Sequence, residues 1–540
     1  MKTNKLNGKT GLSLPKGGVW AMAGLMALSL PSWAQEAEQI IRDRCLGCHT
    51  ETGNPQAPFS RISLQRKTPE GWEMTISRMQ TQHDLTIAAA EKRALIKYLA
   101  DNQGLAPAET TGVRYVLEQD RNAVENLANE AIAAKCGVCH SGARVALQRR
   151  TASEWEKLVH FHMGQFPTIE LLAGARDHAW FEQTIATIVP ELAKAYPLDS
   201  PQWSAWQAAK KSTLNGSWRL VGWLPEKGEF DARLTVKREA NDQYSLAFSG
   251  QYADGSALTG SGRALVYTGY EWRANITLDG VELRQVFAAA EDGQSLQGRM
   301  FLRSANELGG SVRAIKEQPN SSHILSVSPS YLKQGEPTTI TLQGSQLAGK
   351  IDLGEGVRVV KVLSRSADRV SVIAQASAKA ALGPHSVRIG KAKGVSLAVY
   401  DQLARVEVIP HESIARVGGN GGKLAKQNVA YRAVGYAAGA DGKPGTDDDL
   451  RLGYMPASWS LKAFDEIAEN DRDLDYAGVI DPLTGVFVPG DAGPNPARKM
   501  SNDNVGQLAV VATVTDGGQS ISGANHLLVT VPTFMFPVIQ

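Results

Sequence analysis

Cysteine is scarce in this chain: 540 residues contain four. That is too sparse for a disulfide-scaffolded protein. Net charge is nearly absent as well, at +2, so nothing draws the chain to nucleic acid at long range. Beyond the N-terminal segment no stretch is apolar enough to span a bilayer. There is no Gly-rich nucleotide fingerprint, no Gly-x-Ser-x-Gly and no His-Glu-x-x-His, which leaves three common enzyme chemistries without a sequence basis. What is present is 43% hydrophobic residues with balanced charge, enough to bury real cores. The length suits roughly three to five domains.

Residues 1–34 carry Lys2, Lys5, Lys9 and Lys16 and no acid, then an apolar run from Val19 to Leu30, then Ser32-Trp33-Ala34 before Gln35. This is the three-part layout of a secretory signal peptide. The run falls short of the ~20 residues needed to cross a bilayer. Cleavage would remove four positive charges, changing +2 to −2. The expectation is an exported, soluble, periplasmic protein.

The four cysteines form two copies of one motif, Cys45-Leu-Gly-Cys48-His49 and Cys136-Gly-Val-Cys139-His140. Cys-x-x-Cys-His is the attachment motif of c-type haem. Two thiols reach two vinyl groups on one porphyrin edge, and the next residue brings its imidazole under the iron. A thioredoxin-type site would need a strand before the motif. Here helical sequence precedes both, at Ala37 to Arg44 and Val124 to Lys135. A zinc site from paired knuckles does not explain why His follows each pair. The expectation is two covalent haem c groups on Cys45, Cys48 and His49 and on Cys136, Cys139 and His140.

A repeat points to the second iron ligands. Leu64 to Glu73 matches Leu147 to Glu156 at an offset of 83, with seven of ten positions identical or Lys/Arg. Each copy ends in an amphipathic stretch, Glu91 to Leu99 and Phe181 to Tyr196, like the last helix of a small cytochrome c. Residues 35–205 therefore read as two tandem helical modules, 35–115 and 116–205. At the same offset Met79 aligns with His162, each seven residues past the shared Trp and on its helix face. This predicts His49/Met79 at one iron and His140/His162 at the other, with unequal potentials, because a thioether raises the potential and a second imidazole lowers it. Met74 and His83 rival Met79; His160 and Met163 rival His162.

From about Thr213 the pattern alternates. Trp218 to Trp223, Ala232 to Val236, Tyr244 to Phe248, Ala264 to Tyr267 and Glu271 to Ile276 read as strands of an antiparallel barrel or sandwich over 206–317. Pro319 to Ser322 reads as a linker. Residues 318–403 resemble an immunoglobulin-like sandwich, with strands at Thr338 to Leu342, Val357 to Val362, Val370 to Ile373 and His385 to Ile389. Residues 404–540 read as a second sandwich with insertions, with strands at Val406 to Val408, Leu508 to Val514 and His526 to Val531. The loop Asp441 to Asp449 is oxygen-rich like a calcium loop, but it lacks EF-hand spacing, and Gly/Pro/Asp clusters are ordinary turn formers.

Two N-terminal haem motifs, the repeated Leu-Gln-Arg-Lys/Arg-Thr and three β-domains behind them resemble the α subunit of quinohemoprotein amine dehydrogenase. The resemblance implies a heterotrimer with a β-propeller subunit and a small subunit that carries cysteine tryptophylquinone. It implies that primary amines are oxidised to aldehyde and ammonia at that quinone, and that electrons pass through the two haems to a soluble blue-copper protein or cytochrome c. This chain would then transfer electrons and hold no amine site. A stand-alone dihaem carrier with binding sandwiches and a dihaem peroxidase are the alternatives.

Overall fold

The computed structural model describes residues 33–127, 129–172, 179–422 and 424–532. The expected leader, 1–34, lies outside the described residues but for its last two. Among the described residues no helix is long and apolar enough to cross a membrane.

The N-terminal region holds helices and one short ribbon: α1 (Trp33–Arg44), β1 (Gln65–Lys67), α2 (Pro69–Gln82), α3 (Ala89–Asn102), α4 (Pro107–Thr110), α5 (Glu130–Cys136), α6 (Ala143–Ala146), β2 (Gln148–Arg150) and α7 (Ala152–Gln165). The repeat is visible in how α2 and α7 begin. The Thr68 hydroxyl accepts from Gly71 N and the Thr151 hydroxyl from Glu154 N, both at 3.3 Å, satisfying donors the helix cannot. One turn on, Trp72 and Trp155 are fully buried, and each indole N–H donates to the backbone carbonyl just past a later helix, Gln103 after α3 or Tyr196 after the helix Val189–Ala195. Each Trp anchors its own core, with Ile41, Ile76 and Leu95 in the first module and Val145, Val159 and Leu192 in the second. The helix expected from Val124 begins only at Glu130. The Asn129 side chain caps it there, accepting from Ile132 N at 2.9 Å, and Val124 stands exposed before it.

Eight antiparallel strands follow: β3 (Gly216–Leu224), β4 (Gly228–Arg238), β5 (Gln243–Tyr252), β6 (Ala257–Tyr267), β7 (Glu271–Leu278), β8 (Val281–Ala289), β9 (Ser295–Leu302) and β10 (Gly309–Lys316). Each pairs with the next and β10 returns to β3, closing a barrel. Its interior is filled by Trp218, Phe230, Trp272, Phe287 and their neighbours. The barrel docks on the first module through Arg273, which donates to Glu70 at 2.5 Å and to Glu271 at 3.4 Å. The Thr268 hydroxyl donates to the Ala100 carbonyl at 2.9 Å beside them.

The rest is two units of β-structure, the second with two short helices, Glu466–Asn470 and Asp473–Tyr476. In the first, the sheet of His323–Ser328, Pro337–Ser345, Arg369–Ala376 and Val357–Arg365 shares a core with that of Tyr331–Lys333, Ser396–Tyr400 and Gly383–Ser386. In the second, Glu412–Arg416, Gln519–Thr530, Gly506–Asp516 and Ser458–Ala463 form the longest sheet, with two three-stranded sheets beside it. Asp231 ties the barrel to the first unit through Arg369 at 2.5 Å, and Glu307 ties it to the second through Asn428 at 2.9 Å.

Candidate haem sites

The two copies meet about a local twofold. β1 and β2 pair antiparallel with Arg66 opposite Arg149, equivalent residues at the offset of 83. The same relation holds further out. The Arg78 guanidinium lies 4.5 Å from the ring centre of Phe161, its equivalent, and Gln82 donates to Gln165, its equivalent, at 3.0 Å. So α2 and α7 pack on each other, and Met79 and His162 sit one residue beyond the axial pair Arg78/Phe161. Glu109 on α4 neutralises the like charges on the axis, accepting from Arg66 at 2.9 Å and Arg149 at 3.1 Å. Burial opposes ionisation of Glu109, but those hydrogen bonds and charges prevail and hold its carboxyl down at about 2.

Three histidines share one arrangement. Nδ1–H of His49 donates to the Ser60 carbonyl at 3.0 Å, that of His140 to Ser141 at 2.9 Å and that of His162 to Leu158 at 2.7 Å. Each ring is thereby fixed with Nε2 left for another partner, the arrangement in which imidazole binds metal. Burial pushes all three below the usual histidine value, which keeps them neutral. The His140 and His162 ring centres are 6.4 Å apart. An imidazole nitrogen sits about 2 Å from its metal ion, so two rings facing one ion from opposite sides have centres about 6 Å apart. The pair therefore fits one iron between them. Trp180, Phe161 and Phe166 surround His162.

The rivals at this site point elsewhere. His160 is exposed, packs its ring edge-on to Phe181 and has Nε2 3.9 Å from Glu156. Met163 packs at the edge of the second module's core. In the first module the Met74 sulfur accepts from Arg144 at 3.1 Å, which turns it towards the second module. Met79 is half-buried in the last turn of α2. His83, one turn on, is near enough for its charge to bear on His49. None of the four cysteines is in a disulfide. Burial pushes the Cys45 and Cys136 thiols up to about 11, while Cys48 and Cys139 are exposed.

Four family profiles match successive parts of the chain. They are described as quinohemoprotein amine dehydrogenase A, alpha subunit, haem binding, over 35–203, and as alpha subunit domains II, III and IV over 211–317, 321–401 and 406–539. The chain belongs to the quinohemoprotein amine dehydrogenase α-subunit family. The haem-binding part of this α subunit thus contains both Cys-x-x-Cys-His motifs, and the barrel is its domain II. No curated protein matches the chain. Among solved structures, a redesigned β-barrel bound to DFHBI is similar at 16% identity over 19% of this chain and 94% of its own, with a TM-score of 0.17. Drosophila N-cadherin EC1-3 is similar at 13% identity over 55% of this chain and 91% of its own, with a TM-score of 0.20. Likeness at that level carries no argument.

Three of the four carboxylates of the loop 441–449 of domain IV are engaged by other groups of the protein. Asp441 accepts from Lys443 N at 2.8 Å, Asp448 from Asp441 N at 3.2 Å, and Asp449 from Arg405 at 2.6 Å. Among the described residues no group of three or more His, Cys, Asp or Glu could hold a metal ion. A carbonyl partner for each motif histidine is the usual arrangement, but which carbonyls serve, the role of Glu109 and the Arg78/Phe161 pair on the axis were not anticipated from sequence. The offset of 83 that aligns Met79 with His162 also aligns Arg78 with Phe161, one residue earlier.

Proposed function

We propose that this α subunit is the dihaem electron-transfer chain of a periplasmic amine dehydrogenase. It takes electrons from a quinone on a small partner subunit and passes them to a blue-copper protein or cytochrome c. The observation that carries the proposal is the His140/His162 pair, fixed by carbonyls and spaced for one iron. The division into modules 35–115 and 116–205, a barrel at 206–317 and two immunoglobulin-like sandwiches at 318–403 and 404–540 belongs to the same proposal, as does a leader over 1–34.

Bound haem c supplies a one-electron centre at each motif. The chain's own residues do the rest. Cys45 and Cys48 would hold one haem and Cys136 and Cys139 the other, with His49 and His140 as iron ligands. His162 would be the second ligand in the second site and Met79 in the first, with His83 as its rival there. The carbonyls of Ser60, Ser141 and Leu158 keep each imidazole in one tautomer and raise its basicity. The fully buried Trp72 and Trp155 hold α2 and α7, and so the second ligands, in register. A β-propeller subunit and the quinone-bearing subunit, which carries cysteine tryptophylquinone, complete the heterotrimer.

The test is to isolate the native assembly from the periplasm and add methylamine or benzylamine. Reduction of both haems, with release of aldehyde and ammonia, is the expected result. A lone monomer whose haems ignore amines would favour a stand-alone carrier, and peroxide turnover would favour a peroxidase.

A further inference from the structure

The seam between the modules holds more buried positive charge than the described carboxylates can balance. Lys67 and Arg150 are almost fully buried, and Arg78 and Arg144 are half-buried. Among the described residues no carboxylate oxygen lies within ion-pair distance of any of the four. Their partners are neutral. Lys67 donates to Thr75 at 2.5 Å, Arg150 to the Gln148 amide at 2.9 Å and Arg144 to the Met74 sulfur at 3.1 Å, and Arg78 stacks on Phe161 at 4.5 Å. Burial pushes Arg150 down to about 10 and lowers Arg78 and Arg144 as well. Glu154 acts on Lys67 and Arg150 from beyond ion-pair distance, but no described carboxylate acts on Arg78 or Arg144. A cation drawn from water without a counter-charge is costly, so the Arg78/Arg144 end of the seam is built for an anion.

The local twofold shows where the anion is missing. Arg61 and Arg144 are equivalent at the offset of 83. Arg61 lies by His49 and has a carboxylate, Glu154, at 3.3 Å. Arg144 lies by His140 and has none, because the position equivalent to Glu154 is Gly71. Arg78 lies over Phe161, whose ring centre is 5.9 Å from that of His162, and Arg144 follows His140 by four residues. Both arginines therefore flank the His140/His162 pair.

We propose that Arg78 and Arg144 hold a propionate carboxylate of the second haem in the seam between the modules, fixing the orientation of that haem and raising its potential. This rests on the reading above that His140 and His162 share an iron. Guanidinium forks suit carboxylates, and a compact ammonium does not reproduce the two-point grip. The propionate edge would then face Met74 of the first module. The positive charge beside it favours the reduced iron, and the first haem, whose Arg61 shares Glu154 with Lys157, would gain less.

The test uses the full-length haem-loaded subunit in its native assembly, with Arg78→Gln, Arg144→Gln, the double variant, and Arg78→Lys and Arg144→Lys. Haem stoichiometry is read from the pyridine haemochrome and both potentials from a spectroelectrochemical titration without amine or acceptor. The expected result is two haems per chain. The second potential falls in each Gln variant by about 59 mV, a tenfold change for one electron, and further in the double variant, while the first is unmoved. The Lys variants should fall between Gln and the native protein. If a Gln variant fails to take up haem, the Lys variants decide. Two haems with unmoved potentials, equal shifts at both haems, or Lys variants identical to the native protein would each overturn the arginine assignment. A single haem per chain in the native protein would overturn the reading beneath it as well. Amine turnover is not measured, so failure of the amine dehydrogenase proposal is read separately.

Discussion

Glu109→Gln should cost the N-terminal region about 3 kcal/mol. Glu109 is the only described carboxylate within ion-pair distance of Arg66 or Arg149, which face each other across the β1–β2 ribbon. All three side chains are less than a tenth exposed. Gln keeps the shape and some hydrogen bonds but leaves two buried guanidinium groups without an anion. Breaking a buried ion pair from one side costs about 3–5 kcal/mol. The depressed carboxyl gives a similar figure, since a fall from 4.5 to about 2 corresponds to about 3 kcal/mol at 1.36 kcal/mol per unit. The sign with pH is fixed. A carboxyl lowered in the folded state contributes fully above its unfolded value near 4.5, and the contribution is lost as pH falls through about 2. The native protein should therefore lose this increment between those values, and Glu109→Gln should not. Urea unfolding followed by the Soret circular dichroism, which reports this region alone, measures both. Removing one arginine as well, in Glu109→Gln/Arg149→Met, should recover part of the loss. A Glu109→Gln variant within about 0.5 kcal/mol of native, the ordinary range for a surface change, would refute the reasoning.

His162→Ala should abolish the two-imidazole spectrum of one haem while His160→Ala leaves it intact; the reverse would move the ligand by two residues. Trp155→Ala removes a fully buried indole and should cost about 3–5 kcal/mol, read from the same unfolding curve. Glu70→Gln leaves Arg273 with Glu271 alone and should loosen the barrel from the first module, seen as faster hydrogen exchange at the start of α2 and along β7. Calcium or a chelator should leave the melting temperature unmoved, because Arg405 and backbone amides already engage three of the four carboxylates of 441–449; a calcium-dependent rise would reverse that.

Much of this was legible in the sequence because it was local. Cys-x-x-Cys-His is a five-residue signature. The repeat showed because Thr68/Thr151 and Trp72/Trp155 do the same job twice. The first five barrel strands contained alternating stretches. Two of the last three strands were missed for a physical reason. Val286 on β8 and Phe301 on β9 are covered by Leu105, Leu117 and Leu147 from the haem region, so both faces are apolar and alternation is erased. β10 does alternate, but only Val312 and Ala314 carry its buried face before Ile315. The helix expected from Val124 failed because Asn129, a capping residue, was read as helix interior. The axis itself could not be read, since it depends on which strand of one copy pairs with which of the other. Once Arg66 is known to face Arg149, the need for Glu109 follows.

The local twofold has one more consequence. If a single module paired with its own copy, the contact would be isologous, and a residue on the axis would meet itself. Position 78 would set arginine against arginine, and every change near one iron would be mirrored at the other. Tethering the copies in one chain lifts that constraint. Phe161 can face Arg78, Glu154 can stand where the other half has Gly71, and His162 where it has Met79. Covalent linkage thus turns a symmetric joint into one whose halves can be tuned separately, as the two unequal haem sites proposed above would require.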